Sequence, residues 1–333
     1  MTAPRARSIV TAEGFGLPRP GSGRTRERFA ELTRFTTEDI STGRLVEAHA
    51  DADAILGEIC GGGTGPGEFW AVWASNPPQT RVDAIREQGG WRLNGTKPWC
   101  SGAGHCTHAL ITAHTDDGDR LFAVNLDQPG IEADGSGWHT AGMRDSETAT
   151  VFLDGASAEP VGAPGRYLER PGFWHGGIGV AACWFGGARR VARPLYRTAV
   201  RRDDEILRMH LGAVDALLAG GWAHLMAAAD AIDADPDASA TRLAHQVRWS
   251  VEQIATAVID RVGRALGPGP LAGDAEHAQA VADLQVYIRQ SHADRDLVTL
   301  GSVVAGSLSG TIPGPTASTT TASKTSPSKG ERR

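Results

Sequence analysis

Between residues 68 and 165 the chain alternates short strand-like runs with turn residues, and no other feature constrains the fold as much. The runs are rich in apolar, aromatic and β-branched residues and cover residues 70–73, 91–93, 108–113, 121–126 and 148–153. Glycine, proline, asparagine and aspartate lie between them. Such residues favour tight turns, and short strands at this spacing are typical of a β-barrel or a sandwich. The sequence therefore predicts a central β-domain.

Helical patterns flank this β-domain on both sides. Residues 25–59 carry apolar side chains at helical spacing, with a cap region at 36–39, and a glycine-rich stretch at 61–69 ends the pattern. Four further segments, at 178–201, 211–234, 240–266 and 276–300, predict an antiparallel four-helix bundle. We predict an α+β chain with a partly disordered helical region at 1–67, the β-domain at 68–165, the bundle at 166–311 and a disordered tail at 312–333.

Charge and composition narrow the possible partners and surroundings. The net charge of −6 argues against a general nucleic-acid binder. The first residues lack the apolar segment of a secretory signal, and no stretch reaches the roughly 20 apolar residues that cross a bilayer. We therefore expect a cytoplasmic protein without a membrane partner. The cluster of Cys100, His105, Cys106 and His108 fits no common zinc spacing, so we expect no metal there.

Three segments of the β-domain resemble a known family. Residues 89–103 contain Asn94-Gly-Thr-Lys followed by Trp99, residues 122–131 contain a strand and a Pro-Gly turn, and residues 142–154 begin Gly-Met-Arg-Asp-Ser. In this order and at this spacing they resemble the acyl-CoA dehydrogenase family. The resemblance implies that family's fold: an N-terminal helical region, a central β-domain and a C-terminal four-helix bundle. It also implies FAD as cofactor and an acyl thioester as substrate.

The resemblance assigns several residues to the cofactor. Trp99, Cys100 and Ser101 match the step that packs against the flavin ring and bonds its edge. Trp73 and Ser75 stand where the family has a loop that contacts the flavin and the thioester. Without the flanking matches, Trp99 would more simply be a core aromatic residue of the β-domain.

A second group of matches lies in the bundle. In the family, an arginine at the end of a helix reaches the FAD pyrophosphate of a neighbouring subunit, and Arg201 or Arg202 matches it. Gly267 and Gly269 match a glycine-rich turn that approaches the cofactor. The alternatives are a solvated charge pair for the arginine and a plain helix stop for the glycines. The resemblance also implies a homo-oligomer, with a hetero-oligomer as the other possibility.

The sequence departs from the family in two ways that concern the chemistry. The N-terminal helical region is shorter than in the family, which leaves the substrate cavity reshaped or completed by a partner. Ser291 stands where the family keeps its catalytic glutamate, and His292 follows it. His292 is our candidate catalytic residue, because imidazole titrates near neutral pH; its alternative role is within a local charge cluster. Glu169 and His175 are further candidates.

Three functions follow from these observations. The first, which we favour, is oxidation of an acyl thioester by FAD, with an electron-transfer flavoprotein or a similar protein as acceptor. The second is a flavin-dependent monooxygenase on the same scaffold, which the missing glutamate and the position of His292 suggest. The third is a catalytically silent flavin- or acyl-binding subunit of a hetero-oligomer.

Overall fold

The middle of the chain forms one seven-stranded sheet in the computed structural model, which describes residues 2–309. The strands are β1 (Trp70–Trp73), β2 (Val82–Glu87), β3 (Gly90–Cys100), β4 (His108–Thr115), β5 (Gly118–Asn125), β6 (Ile131–Asp134) and β7 (Ala149–Val161). All five runs identified in the sequence lie in strands. Strands β2 and β6 were not identified, because each is short and one face carries charged residues.

The sheet closes on itself. Strand β4 pairs with β5 on one side and with β1 and β2 on the other, while β7 pairs with both β3 and β5. The ring β4–β2–β3–β7–β5 is therefore continuous, so of the two predicted forms, barrel or sandwich, the structure has the barrel. Side chains that alternate inward, such as Leu93, Ile111, Phe122 and Val151, fill its interior.

Three helices precede the barrel: α1 (Thr2–Val10), α2 (Thr25–Glu38) and α3 (Ile40–Cys60). Asp39 separates α2 from α3 at the predicted cap, where its carboxylate accepts a hydrogen bond of 2.7 Å from the Thr42 backbone N–H. Helix α1 differs from the prediction of a poorly ordered start. Its small apolar residues recur at helical spacing, and Ala3 and Ala6 are fully buried.

The C-terminal region is a bundle of α5 (Pro171–Arg201), α6 (Glu205–Ala234), α7 (Thr241–Leu266) and α9 (Ala275–Tyr287), with α4 (Arg166–Glu169), α8 (Gly269–Gly273) and α10 (Asp294–Ser309) at its margins. The fourth predicted helix is interrupted. Ser291 leaves the helical conformation, and Ala293 has a positive φ of 48°. The Ser291 hydroxyl and the Asp296 carboxylate accept hydrogen bonds from nearby backbone N–H groups, so local polar bonds compete with the helix here.

Helix α6 qualifies for a membrane span by length and composition, which the sequence analysis did not anticipate. It is the only such helix within residues 2–309. Leu207, Val214 and Leu225 on one of its faces are buried in the bundle core. A core helix of a bundle meets the same criteria, so this is weak support for a membrane location. The predicted tail at 312–333 lies outside the described residues.

Candidate active site

A cavity of about 720 Å³ lies where the N-terminal helices, the barrel and the bundle meet. Its walls come from α3, the loop after β1, the end of β3, the segment before β7 and the end of α9. Small-molecule sites commonly have volumes of roughly 300–1,000 Å³ and form between domains. The cavity is therefore the principal candidate for a ligand site.

A bulge in β3 turns an indole into this cavity. The pairing of β3 with β7 is irregular between Lys97 and Cys100, and Trp99 has a left-handed φ of 60°. Bulges re-aim side chains in this way. The Trp99 side chain lines the cavity and is 59% exposed, which is unusual for so large an apolar group.

Lys97 anchors the strand just before the bulge. Its ammonium is buried and donates to the Thr112 carbonyl at 2.9 Å and the Thr112 hydroxyl at 2.7 Å, and it also contacts the Asn76 side chain. Burial lowers the pKa of Lys97 to about 8. This fixed point on β4 holds the base of the bulge in place.

A row of hydroxyl groups lies beside Trp99 on the cavity wall. Ser101 Oγ is 3.1 Å from Thr148 Oγ1, which is 2.8 Å from Ser146 Oγ. Trp73 fixes the backbone at this point, because its Nε1–H donates to the Ser101 carbonyl at 3.1 Å. Trp73, Ser101, Ser146 and Thr148 all line the cavity. The wall thus combines a flat apolar face with oriented hydroxyl groups.

The facing wall, on α3, is charged. Arg44, Glu47 and Asp51 all line the cavity. An Arg44 guanidinium nitrogen lies 2.6 Å from Glu47 Oε2, and both side chains are largely buried. Burial raises the pKa of Glu47 to about 7, although Arg44 favours the ionised form. The sequence analysis missed these residues. Their spacing of three and four residues was the available signal, since it places them on one face of the helix.

Solved structures show which fold this is. Glutaryl-CoA dehydrogenase from Mycobacterium smegmatis superposes with a TM-score of 0.78 at 17% identity, over 92% of this chain and 87% of that chain. A glutaryl-CoA dehydrogenase from the same organism, in complex with FADH2, gives 0.71 at 16% identity, over 92% and 94%. KijD3 in complex with FMN and dTDP-3-amino-2,3,6-trideoxy-4-keto-3-methyl-D-glucose gives 0.70 at 19% identity, over 92% and 91%. Nitrososynthase from Micromonospora carbonacea var. africana gives 0.73 at 20% identity, over 92% and 87%.

The family model for the acyl-CoA dehydrogenase middle domain matches residues 75–156. Residues 75–156 belong to this middle-domain family, and the chain shares the fold of the acyl-CoA dehydrogenases. The match covers the barrel from the loop after β1 to the middle of β7, including the Trp99 bulge and the hydroxyl row. No curated protein matches the sequence.

The structure brings most of the residues predicted for the ring of the cofactor into one place. Trp73, Trp99, Ser101 and His292 all line the cavity, and so does Ser75. Cys100 does not, because alternation along β3 turns its thiol into the barrel core, where it is fully buried. Burial also raises the pKa of this thiol well above its usual range.

Arg201, Gly267 and Gly269 lie away from this cavity. Val180 on α5 lines the cavity, and the rise of about 1.5 Å per residue places Arg201 roughly 30 Å further along the same helix. Helix α7 starts beside the start of α5, where His245 contacts Trp174, so the two glycines follow its far end. A role at the flavin of another subunit, as the family resemblance implies, stays a prediction for these three residues.

Ser291 and His292, at the position of the family's catalytic glutamate, bring no carboxylate to the cavity. His292 lies at the rim, where its side chain is 75% exposed and its Nδ1 is 3.3 Å from Asp296 Oδ1. Glu169 is exposed outside the cavity, and the buried His175 does not line it. The carboxylates that do line the cavity are therefore Glu47 and Asp51 on α3.

The residues considered for zinc make other contacts. His105 Nε2 lies 2.6 Å from Glu147 Oε2, and the His108 ring stacks on Trp70 with 4.7 Å between centroids. The thiols of Cys100 and Cys106 are buried. Within residues 2–309 no group of three potential ligand residues is arranged to hold a metal ion.

Proposed function

We propose that the chain is an FAD-dependent oxidoreductase that oxidises the CH–CH group of an acyl thioester in the cavity beside Trp99. The observation that carries the proposal is the exposed Trp99 indole next to the hydroxyl row of Ser101, Ser146 and Thr148, inside a cavity of ligand size. The match of residues 75–156 to the acyl-CoA dehydrogenase middle domain supports it.

The residues present suit a flavin. A flat heteroaromatic ring needs an apolar neighbour and a few fixed hydrogen-bonding groups near its edge. Trp99 offers the apolar face, and Ser101 and Thr148 offer hydroxyl groups that the Trp73 contact helps to orient. Fold relatives in complex with FADH2 and with FMN support this choice of cofactor. A bound flavin supplies the hydride acceptor.

The family resemblance extends the proposal to other proteins. Arg201, Gly267 and Gly269 lie too far from the cavity to reach a flavin ring bound there in the same chain, so we propose that they contact the cofactor of a second copy. A homo-oligomer then completes each flavin site. An electron-transfer flavoprotein or a similar acceptor would reoxidise the flavin.

Anaerobic bleaching tests this function. The purified protein is loaded with FAD and mixed, without oxygen, with short, medium and long acyl-CoA thioesters. We expect at least one to bleach the flavin absorbance and yield an unsaturated thioester in equal amount. Free FAD with the same thioesters is the control. If the protein binds FAD and no thioester bleaches it, acyl thioester oxidation is wrong.

A flavin monooxygenase is the second candidate, and the charged α3 wall favours it. Arg44, Glu47 and Asp51 offer little to a long aliphatic chain and more to a polar substrate. A fold relative, KijD3, was solved with a nucleotide-linked amino sugar. If this candidate is right, a separate reductase that supplies reduced FAD should allow the protein to form a product, and product formation should require oxygen. Formation of the unsaturated thioester without oxygen would exclude this candidate as the main activity.

A further inference from the structure

The Glu47 carboxylate occupies an unusual position for a charged group. Its side chain is 4% exposed, yet Glu47 is part of the cavity wall, and one of its oxygens is held by Arg44 at 2.6 Å. Buried charges are normally paired, and here the pair lies against the space where a ligand binds. A surface ion pair that serves only folding would not need this location.

Tyr287 also lines the cavity and is 1% exposed. Its hydroxyl group is buried beside the Cys183 thiol of the bundle core, so it is not offered to a ligand. Tyr287 therefore adds to the wall around Glu47 without supplying a second polar group to the open space.

We propose that Glu47 is the proton-accepting carboxylate of this cavity. This proposal rests on the function proposed above. The C–H bond next to the carbonyl breaks and its proton goes to a Glu47 oxygen. The electron pair of that bond forms the new C=C bond, and a flavin held beside Trp99 would supply the acceptor for the hydride lost from the adjacent carbon. The substrate thus loses two hydrogens in total.

The surroundings of Glu47 suit a group that must both take up and release a proton. Burial is the largest influence and raises its pKa toward 7, Asp51 raises it further, and Arg44 and Arg28 lower it. A general base works best when its pKa lies near the working pH. The charged and titratable groups that interact with it come from six helices: Arg28, Arg44, Asp51, Tyr167, Cys183, Arg248 and Tyr287.

This assignment accounts for the missing glutamate. Ser291 and the exposed His292 leave the end of α9 without a buried base. Helix α3 supplies a carboxylate to the same cavity. The substrate would then be an activated carbonyl compound with polar substituents, because Arg44 and Asp51 stand beside Glu47.

Infrared difference spectroscopy between pH 5.5 and 8.5 tests the assignment directly. We expect the FAD-loaded protein to lose a protonated-carboxyl band as the pH rises through about 7. The band should be absent in Glu47→Gln. It should remain in Glu252→Gln, which alters another buried glutamate paired with an arginine but outside the cavity wall. Bleaching by the active thioester should fall by about 10²- to 10⁴-fold in Glu47→Gln only.

The outcomes separate this proposal from the function on which it rests. If FAD does not bind to the wild-type protein, the proposed function fails. If FAD binds and the wild-type protein shows no carboxyl band that titrates near pH 7, or if the band persists in Glu47→Gln, the Glu47 assignment fails. If Glu47→Gln does not fold, the wild-type protein still tests the assignment, because it must show a carboxyl band that titrates near pH 7. Glu47→Asp then serves as the variant, and we expect it to keep a titrating carboxyl group.

Discussion

At the residue scale, Trp99 and Lys97 show how a strand end becomes a ligand site. The buried Lys97 ammonium fixes β3 to β4, and the bulge that follows sends the Trp99 indole outward. Both residues stand in the motif that carried the family resemblance, so this side of the cavity could be predicted. Glu47 and Tyr287 could not, because each looks like an ordinary helix residue until the three regions are assembled around the cavity.

Replacement of Lys97 by methionine should destabilise the protein. The change removes the donor to the buried Thr112 carbonyl and hydroxyl oxygens, which we expect to cost about 1–3 kcal/mol at pH 7. Burial lowers the folded-state pKa of Lys97 to about 8, below its usual 10.5, so between these values the unfolded chain binds the extra proton. The wild-type protein should therefore gain stability over Lys97→Met as the pH rises from 8 to 10.5. Denaturant unfolding at pH 7 and 9.5 measures this, and an unchanged difference would contradict it.

At the element scale, local signals located some boundaries and missed others. The Asp39 cap and the left-handed Gly61 at the end of α3 have direct sequence signatures, and the structure places both as expected. The break between α9 and α10 was missed, because residues 289–296 contain no glycine or proline that would mark it. What interrupts the helix is a set of polar bonds around Ser291 and Asp296 that spacing alone does not reveal.

The junction of α3 with β1 should make stability depend on pH. His49 Nδ1 accepts a hydrogen bond of 3.2 Å from the Trp70 backbone N–H, and burial lowers the pKa of His49 to about 4. Between pH 4 and 6.5 the unfolded chain binds the proton and the folded chain does not. Stability from His49 should therefore fall as the pH drops through this window, by at most about 3 kcal/mol.

His49→Gln is the matched variant for this prediction, because its amide oxygen keeps an acceptor for the Trp70 N–H. We expect its unfolding free energy to fall less than that of the wild type between pH 6.5 and 4. Glu47 contributes to the unfolding free energy with the opposite pH dependence, because its raised pKa favours folding as the pH drops from 7 toward 4.5. Both proteins contain Glu47, so its contribution cancels when their unfolding free energies are compared. Equal pH profiles for the two proteins would show that His49 does not titrate in this way.

At the scale of the whole molecule, the order helix, barrel and bundle was predictable because each region has its own periodicity. The cavity was not, because it forms only where α3, the barrel and α9 come together. The separation of roughly 30 Å between Arg201 and the cavity, measured along α5, is also a property of the assembled bundle. It leads to a prediction about assembly.

Arg201→Ala should weaken FAD binding only when the protein is oligomeric. If Arg201 contacts the cofactor of a second copy, the wild-type affinity for FAD should fall on dilution below the assembly concentration, and the variant should show the weaker affinity at every concentration. Loss of a charge-assisted contact to phosphate corresponds to about 1.5–3 kcal/mol. Arg24→Ala, which removes an exposed arginine paired with Glu27, is the control. FAD titration combined with sedimentation velocity measures both quantities, and a monomer that binds FAD with full affinity would contradict the prediction.

The placement of the flavin ring against Trp99 is tested most directly by FAD affinity in two tryptophan variants. Trp99→Ala removes the 59% exposed indole in the cavity, and Trp249→Ala removes a 43% exposed indole on α7 outside the cavity wall. Loss of the stacking face should weaken FAD binding in Trp99→Ala by at least about tenfold and leave Trp249→Ala like the wild type. A folded wild-type protein that ignores added FAD, or equal affinity in all three proteins, would contradict the account.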